Sequence, residues 1–251
     1  MPSPTFLPPT VAPDQLLPTL RQQGYAVMGA HSVAQWLGPG TVQGLHDLAQ
    51  LWNDLPADPH LKDGGRYRRR RHGSMVVGPE GVQPVPHRAH WQPVSYNALH
   101  GGMNRWFEPL PSALTEHPAW HQLLLTLAAC VTALRGPFTW YVEAHPFRID
   151  TTDGIGRPTP EGAHRDGVDV VAVFMVARHL IKGGESRVFD AQGPQGQRFT
   201  LTEPWSLLLL DDQRVIHETT PIQPLQPDQL GWRDTLVITL RSGSFLDEVV
   251  N

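Results

Sequence analysis

His164 and Asp166 stand two residues apart within PEGAHRDG, Pro160 to Gly167. In extended backbone, residues i and i+2 point to the same face, so an imidazole and a carboxylate project side by side. Two imidazoles and one carboxylate on one face of a metal ion suit Fe(II) and leave its other positions open. In a chain with 13 histidines one such pair carries little weight alone, and two solvated loop residues are the simpler alternative. His217 supplies the second imidazole at the end of a short apolar run, VIH, where a core histidine would also fit. Its distance along the chain excludes a local metal loop and fits ligands carried on different strands of one barrel. Further on, Arg233 and Thr235 again share a face. A guanidinium beside a hydroxyl is a receptor for a carboxylate, which arginine binds in bidentate fashion. A salt bridge from Arg233 to Asp234 or Glu248 is the competing explanation, and Arg241 on the same strand is a competing anion anchor.

Those side chains need a scaffold of strands, and the second half of the chain supplies one. Phe138, Trp140, Val142 and Ala144 alternate with Thr139, Tyr141, Glu143 and His145, a two-residue period that marks a strand; Pro146 then interrupts, with continuation after a bulge. Val168 to Val176 is rich in β-branched residues and reads as a buried strand. Gly183-Gly184 turns into a strand from Ser186 to Phe189; Arg198 to Leu201, Ser206 to Leu210, Val215 to His217 and Thr235 to Arg241 complete the set. The first part is helical. Leu16, Leu17 and Leu20 fall at helical spacing behind Asp14, and Gly24 ends that helix before a short strand, Tyr25 to Met28. A second helix is expected over Thr41 to Leu55, and the clearest over Pro118 to Leu134, where Trp120, Leu123, Leu124, Leu127 and Val131 keep the 3.6-residue period. The expected fold is mainly β with flanking helices: a double-stranded β-helix, or cupin-like jelly roll, over about 138–243 with a helical N-terminal third. Residues 1–13 read as a flexible proline-rich tail and 14–251 as one domain.

Composition narrows the function. No run approaches the roughly 18 apolar residues of a membrane span, and a net charge of −4 argues against a general polyanion binder. The single cysteine, Cys130, allows no intrachain disulfide and points to a reducing, cytoplasmic compartment. RYRRRRH, Arg66 to His72, is the one dense charge run; it lacks an adjacent aromatic stacking platform, so alternating arginines on an exposed strand, paired with carboxylates or an anionic ligand, are favoured over nucleic-acid binding. Gln92 to Phe107 mixes Asn, His, Gly and aromatics in the manner of a pocket-lining loop.

Taken together, His164-x-Asp166, the GGE turn at Gly183 to Glu185, His217 and Arg233-x-Thr235 resemble the Fe(II)/2-oxoglutarate-dependent dioxygenases. PEGAHRDG, the following GGES and a late RDTLVITLR are similar, more narrowly, to the bacterial subfamily that hydroxylates free L-amino acids, the isoleucine-type hydroxylases. The resemblance runs from about Arg66 to Arg241. It implies iron bound by His164, Asp166 and His217, with Arg233 and Thr235 gripping the far carboxylate of the cosubstrate 2-oxoglutarate; the family more often has serine where Thr235 stands, and the hydroxyl is kept. It also implies O2-dependent hydroxylation or S-oxidation of a small free amino acid, with release of succinate and CO2. Related halogenases carry a small residue in place of the carboxylate, so Asp166 points to oxygenation. For the substrate, Glu161 is a candidate partner of an amino group, Arg66 to Arg71 or Arg148 of a carboxylate, and Asn97, Trp140 and Tyr141 of the pocket wall. Two other classes compete: a non-catalytic cupin-like protein that binds metal or a small ligand, which leaves Arg233 without a task, and a nucleic-acid module built on Arg66 to His72. Oligomeric state is not legible.

Overall fold

The alternation seen in the sequence becomes two faces of one sheet, one against helices and one around a cavity. The computed structural model describes residues 6–247. Its helices are α1 (Leu16–Gln23), α2 (Ala30–Leu37), α3 (Pro39–Leu48), α4 (Ser112–Thr115) and α5 (Pro118–Arg135). The strands of the first half are β1 (Tyr25–Met28), β2 (Arg68–Arg70), β3 (Gly73–Gly78) and β4 (Gly81–Pro84). Those of the second are β5 (Trp140–Asp150), β6 (Val170–His179), β7 (Ile181–Gly183), β8 (Ser186–Asp190), β9 (Gly196–Phe199), β10 (Leu207–Asp211), β11 (Val215–Thr219), β12 (Ile222–Pro224) and β13 (Trp232–Ser242).

The large antiparallel sheet runs β1-β10-β6-β13-β5-β3-β4, with β2 also paired to β5; β11-β8-β9 and β12-β7 form the smaller layer. This is the jelly-roll arrangement expected. Register fixes what each face carries. On β13, Leu236, Ile238 and Leu240 enter the core beneath α3 and α5, whereas Arg233, Thr235, Val237 and Thr239 line the cavity. Opposite them on β5, Glu143, His145, Phe147 and Ile149 pair with Thr239, Val237, Thr235 and Arg233 in turn. Helix α5 supplies Trp120, Leu123, Leu124 and Leu127 to the core, each 1% exposed or less, and burying each aliphatic side chain contributes about 1.5–3 kcal/mol. His117 caps α5 through its Nδ1, which accepts from the Ala119 N–H, and Pro118 fills the first turn.

Several expectations shift. The helix expected over Thr41 to Leu55 ends at Leu48 and tightens into a 3₁₀ segment, Ala49–Asp54, whose Trp52 indole donates to the Thr235 carbonyl at 3.1 Å. That contact falls where β6 and β13 slip register, between Asp234 and Thr235. The bulge expected at Pro146 does not occur: β5 runs unbroken along β13. The Pro146 carbonyl accepts from Arg71 N–H where β2 passes to β3, so the missing N–H of the proline faces a gap in the ladder. The sheet also begins before residue 138, because β1 to β4 join it. Of the stretch expected to be a flexible tail, Thr10 and Val11 pair with Val27 through backbone, and Phe6 lies under the Arg198 guanidinium. Residues 1–5 lie outside the described part. No helix among the described residues is long and apolar enough to cross a membrane.

The Gly-Gly turn is a structural requirement. Gly183 has φ +79°, and a Cβ there would overlap the Pro221 carbonyl oxygen. Gly154 has the same φ of +79° with open space around it. Gly154→Ala should therefore carry only the left-handed backbone cost of about 1–2 kcal/mol, and Gly183→Ala clearly more. Denaturant unfolding of the two variants checks this; equal losses would contradict it.

Candidate metal centre and cavity

The segment before β6 and the strand β11 meet through two backbone hydrogen bonds. His164 N–H donates to the His217 carbonyl at 3.0 Å, and His217 N–H to the His164 carbonyl at 2.9 Å. The rings follow, with centroids 4.6 Å apart. Asp166 lies between them: its Oδ1 is 3.8 Å from His164 Nε2 and its Oδ2 is 3.7 Å from His217 Nε2. One donor atom from each residue falls within 4.8 Å of the others, so the three can hold one metal ion.

Each ligand is oriented by a neighbour. His164 Nδ1 donates to the Gly162 carbonyl at 2.9 Å, which leaves the Nε2 lone pair facing Asp166. Gln92 Nε2 donates to Asp166 Oδ1 at 3.1 Å, and the Gln92 carbonyl oxygen is itself held by Asn97 Nδ2 and Arg105 Nη2. The buried Asp212 carboxylate accepts from the backbone N–H groups of Asp166, Gly167 and Val168. Burial and the Asp166 charge raise the Asp212 pKa. Burial, followed by the neighbouring His164, pushes His217 down to about 3, so it presents a neutral imidazole. For His164, burial opposes the charged form, but Asp166 and Glu161 outweigh it and the pKa rises.

Arg233 and Thr235 line the same cavity as His164 and Asp166. Arg233 is 3% exposed, and its Nε has no hydrogen-bond partner. Burial, then the charge of Arg178, lowers its pKa to about 9. Asp234 does not neutralise it directly, because both Asp234 oxygens are taken by Arg148, at 2.7 and 2.6 Å. Gly184 lets the turn close in, since a Cβ there would meet Arg178 Nη1 and the Arg233 side chain. Arg241 instead folds onto Ser244 and Phe245, away from the cavity. Glu248 lies outside the described residues.

The arginine run corrects one expectation. Arg68 and Arg70 are buried at 5% and 3% exposure, because β2 turns alternate side chains into the cavity beside β5. Arg68 pairs with the buried Asp58 at 2.7 Å, and Arg70 lies between the rings of Phe107 and Phe147. Of the candidate wall residues, Asn97 and Glu161 line the cavity; Trp140 is in the helix-side core, Tyr141 packs on Phe245 and Arg148 is consumed by Asp234. Gln92, Arg105 and Asp212 were not singled out from sequence. The loop composition around Gln92 and the Asp-Asp after an apolar strand were the available signals.

A second cluster, also not foreseen, joins His72, His90, Glu143 and His145, all buried and with donor atoms within 4.8 Å of one another. Glu143 Oε1 lies 2.8 Å from His72 Nε2, 3.4 Å from His90 Nδ1 and 3.6 Å from Arg88 Nη1, while Arg70 Nη2 donates to His145 Nδ1 at 2.6 Å. One guanidinium thus already takes a histidine nitrogen of this cluster, and a second lies beside its carboxylate. The triad has two carboxylates beside it, Glu161 and Asp212, and among the described residues no guanidinium forms an ion pair with it. The donor chemistry fits Fe(II) better at the triad.

The family model described as 2OG-Fe dioxygenase matches residues 49–239. A crystal structure of a bsmA homolog from Methylobium petroleophilum PM1 is 51% identical, with 96% of this chain and 97% of that one covered at a TM-score of 0.88. The structure of IDO from Bacillus thuringiensis is 17% identical (93% and 100% covered, TM-score 0.75), and that of the Fe(II)/(alpha)ketoglutarate-dependent dioxygenase TqaL is 18% identical (93% and 90%, TM-score 0.70). At those identities the likeness is one of fold. Among curated proteins the chain has no match.

Asp212→Asn should weaken divalent-metal binding about 10- to 100-fold, the range for a residue that orients ligands. Competition with a metal-sensing dye measures it; unchanged affinity would show that the three amide contacts do not set the position of Asp166.

Proposed function

The chain belongs to the 2OG-Fe dioxygenase family, and on that premise we propose that His164, Asp166 and His217 bind its iron and that it hydroxylates or S-oxidises a small free L-amino acid. Fe(II), 2-oxoglutarate and O2 are the cofactor and cosubstrates of the family. The observation that carries the residue assignment is a shared cavity: His164 and Asp166, grouped with His217, line it together with the buried Arg233, whose Nε has no hydrogen-bond partner. Held there, Fe(II) would supply the chemistry of the family, in which 2-oxoglutarate and O2 give succinate and CO2, one oxygen atom going to succinate and the other to a C–H bond or thioether of the substrate.

The residues of the chain bind and orient. His164, His217 and Asp166 would hold the ion through two imidazoles and one carboxylate, a donor set that suits Fe(II). Gln92 holds Asp166 in place, and Asp212 fixes the backbone on which it sits. Arg233 offers free N–H donors to the far carboxylate of 2-oxoglutarate, with the Thr235 hydroxyl beside it; pairing a buried guanidinium with this carboxylate satisfies a charge that the protein leaves unmatched. The side chains of His164, Asp166 and His217 are largely buried, which limits water around the reacting centre. A non-catalytic metal-binding role would leave that buried cation without purpose. The retained Asp166 favours oxygenation over halogenation. The amino-acid assignment draws on the PEGAHRDG resemblance and on the presence of both cationic and carboxylate groups in the cavity. The lone buried cysteine suits a cytoplasmic enzyme.

Purified protein with Fe(II), 2-oxoglutarate and a panel of amino acids should release succinate in a substrate-dependent way, with a product heavier by one oxygen. Arg233→Met should raise the KM for 2-oxoglutarate roughly 10- to 100-fold, the worth of lost charge-assisted hydrogen bonds, whereas Arg241→Met should leave it unchanged. A reversed pattern would move the cosubstrate anchor to Arg241, and no succinate with any amino acid would overturn the substrate class.

A further inference from the structure

Beyond the triad and Arg233, the cavity holds buried charges that the reaction of the cosubstrate does not use. Arg105 is 2% exposed; one nitrogen, Nη2, donates to Gln92, and its Nε has no partner. Arg70 is held by His145 and by its two phenylalanine rings, and its Nε is likewise unpartnered. Arg68 is matched by Asp58 but leaves Nη2 free. Near the triad, Glu161 Oε1 is 3.6 Å from His164 Nε2, while its Oε2 is buried without a hydrogen bond. All of these residues line one cavity. An unpartnered buried guanidinium or carboxylate is costly, so such groups point to a ligand that completes them.

Resting on the reading of the chain as an amino-acid oxygenase, we propose that Arg70 and Arg105 bind the substrate carboxylate and that Glu161 binds its ammonium, so that the cavity takes the zwitterion of an α-amino acid. The arrangement has the required polarity. The arginine end is rigid: Phe107 and Phe147 sandwich Arg70, His145 fixes its Nη2, and Gln92 fixes Arg105. The carboxylate end is next to the metal ligands, three residues before His164, so an ammonium on Glu161 places the adjoining carbons close to the reacting centre. Glu161 and Arg105 line the same cavity without an ion pair between them. A ligand carrying both charges offers each end of the cavity the partner it lacks. The cluster of His72, His90, Glu143 and His145 then has a positioning role: His145 holds Arg70, and Glu143 balances the neighbouring Arg88.

Titration calorimetry under nitrogen, with Fe(II) bound and no oxygen for turnover, reads these contacts directly. The first titrant is 2-oxoglutarate and the second each common L-amino acid; the best binder is then compared with its carboxamide, its N-acetyl derivative and its 2-hydroxy analogue. Losing either charge should weaken binding at least about tenfold, the worth of a charge-assisted hydrogen bond. Glu161→Gln should cost the amino acid a similar factor and leave the 2-hydroxy analogue unaffected. Arg105→Lys and Arg70→Lys should weaken both while 2-oxoglutarate still binds, which also reports that the variants are folded. A carboxamide or N-acetyl compound bound as tightly as the free amino acid, or unchanged affinity in Glu161→Gln, overturns the proposal. If 2-oxoglutarate binds and no free amino acid does, the zwitterion receptor is wrong and the dioxygenase reading stands. If 2-oxoglutarate does not bind either, the proposed function itself fails.

Discussion

Two backbone hydrogen bonds between His164 and His217 hold the molecule to its purpose. They join the segment leading into the large sheet to a strand of the small one. Because they are reciprocal, they fix the two imidazoles at one height without relying on the side chains. Asp166 then needs only to be turned inward, and Asp212 does this by accepting three consecutive amides. Such a carboxylate acts like the charge at a helix N-terminus, gathering N–H groups that would otherwise be buried and unmatched. Everything else about the centre is built on a backbone fixed in this way.

The second organising constraint is electrostatic. The cavity face of β5, β13 and β2 carries arginines, a histidine and a glutamate where a sheet ordinarily buries aliphatic side chains. Some of that charge is settled internally, through Arg68 with Asp58 and Glu143 with its histidines and Arg88. Some is left open at Arg233, Arg70, Arg105 and Glu161. The folded chain keeps those desolvated groups in place through its opposite face, where α3 and α5 pack a continuous apolar core against the same strands. Stability is concentrated on one side of the sheet, and binding capacity on the other.

Much of this was legible in the sequence where the signal is local. The two-residue alternation of β5, the apolar runs of β6 and β10, and the periodic face of α5 come from short-range patterning and appear nearly as expected. The order and spacing of His164, Asp166, His217 and Arg233 carried the family resemblance that implied the triad and the cosubstrate anchor; the fold groups the first three, and His164, Asp166 and Arg233 line one cavity. What was not legible depends on register. Nothing in RYRRRRH says that Arg68 and Arg70 face inward until β2 is laid against Ile149 and Phe147. The His72, His90, Glu143 and His145 cluster gathers residues from distant segments, through the pairing of β3 with β5 and a loop bridge between His90 and Arg105. The role of Asp212 was not legible, because its partners are backbone amides and carry no side-chain signature.

The central claim is that iron belongs to His164, Asp166 and His217 and not to the four-residue cluster on the other side of the cavity. Anaerobic Fe(II) titration, with bound metal counted per chain, tests it most directly. The account predicts one tight equivalent in the wild-type chain, lost in His217→Ala and in Asp166→Ala and kept in Glu143→Gln. Loss of the tight equivalent in Glu143→Gln, with its retention in His217→Ala, would contradict it.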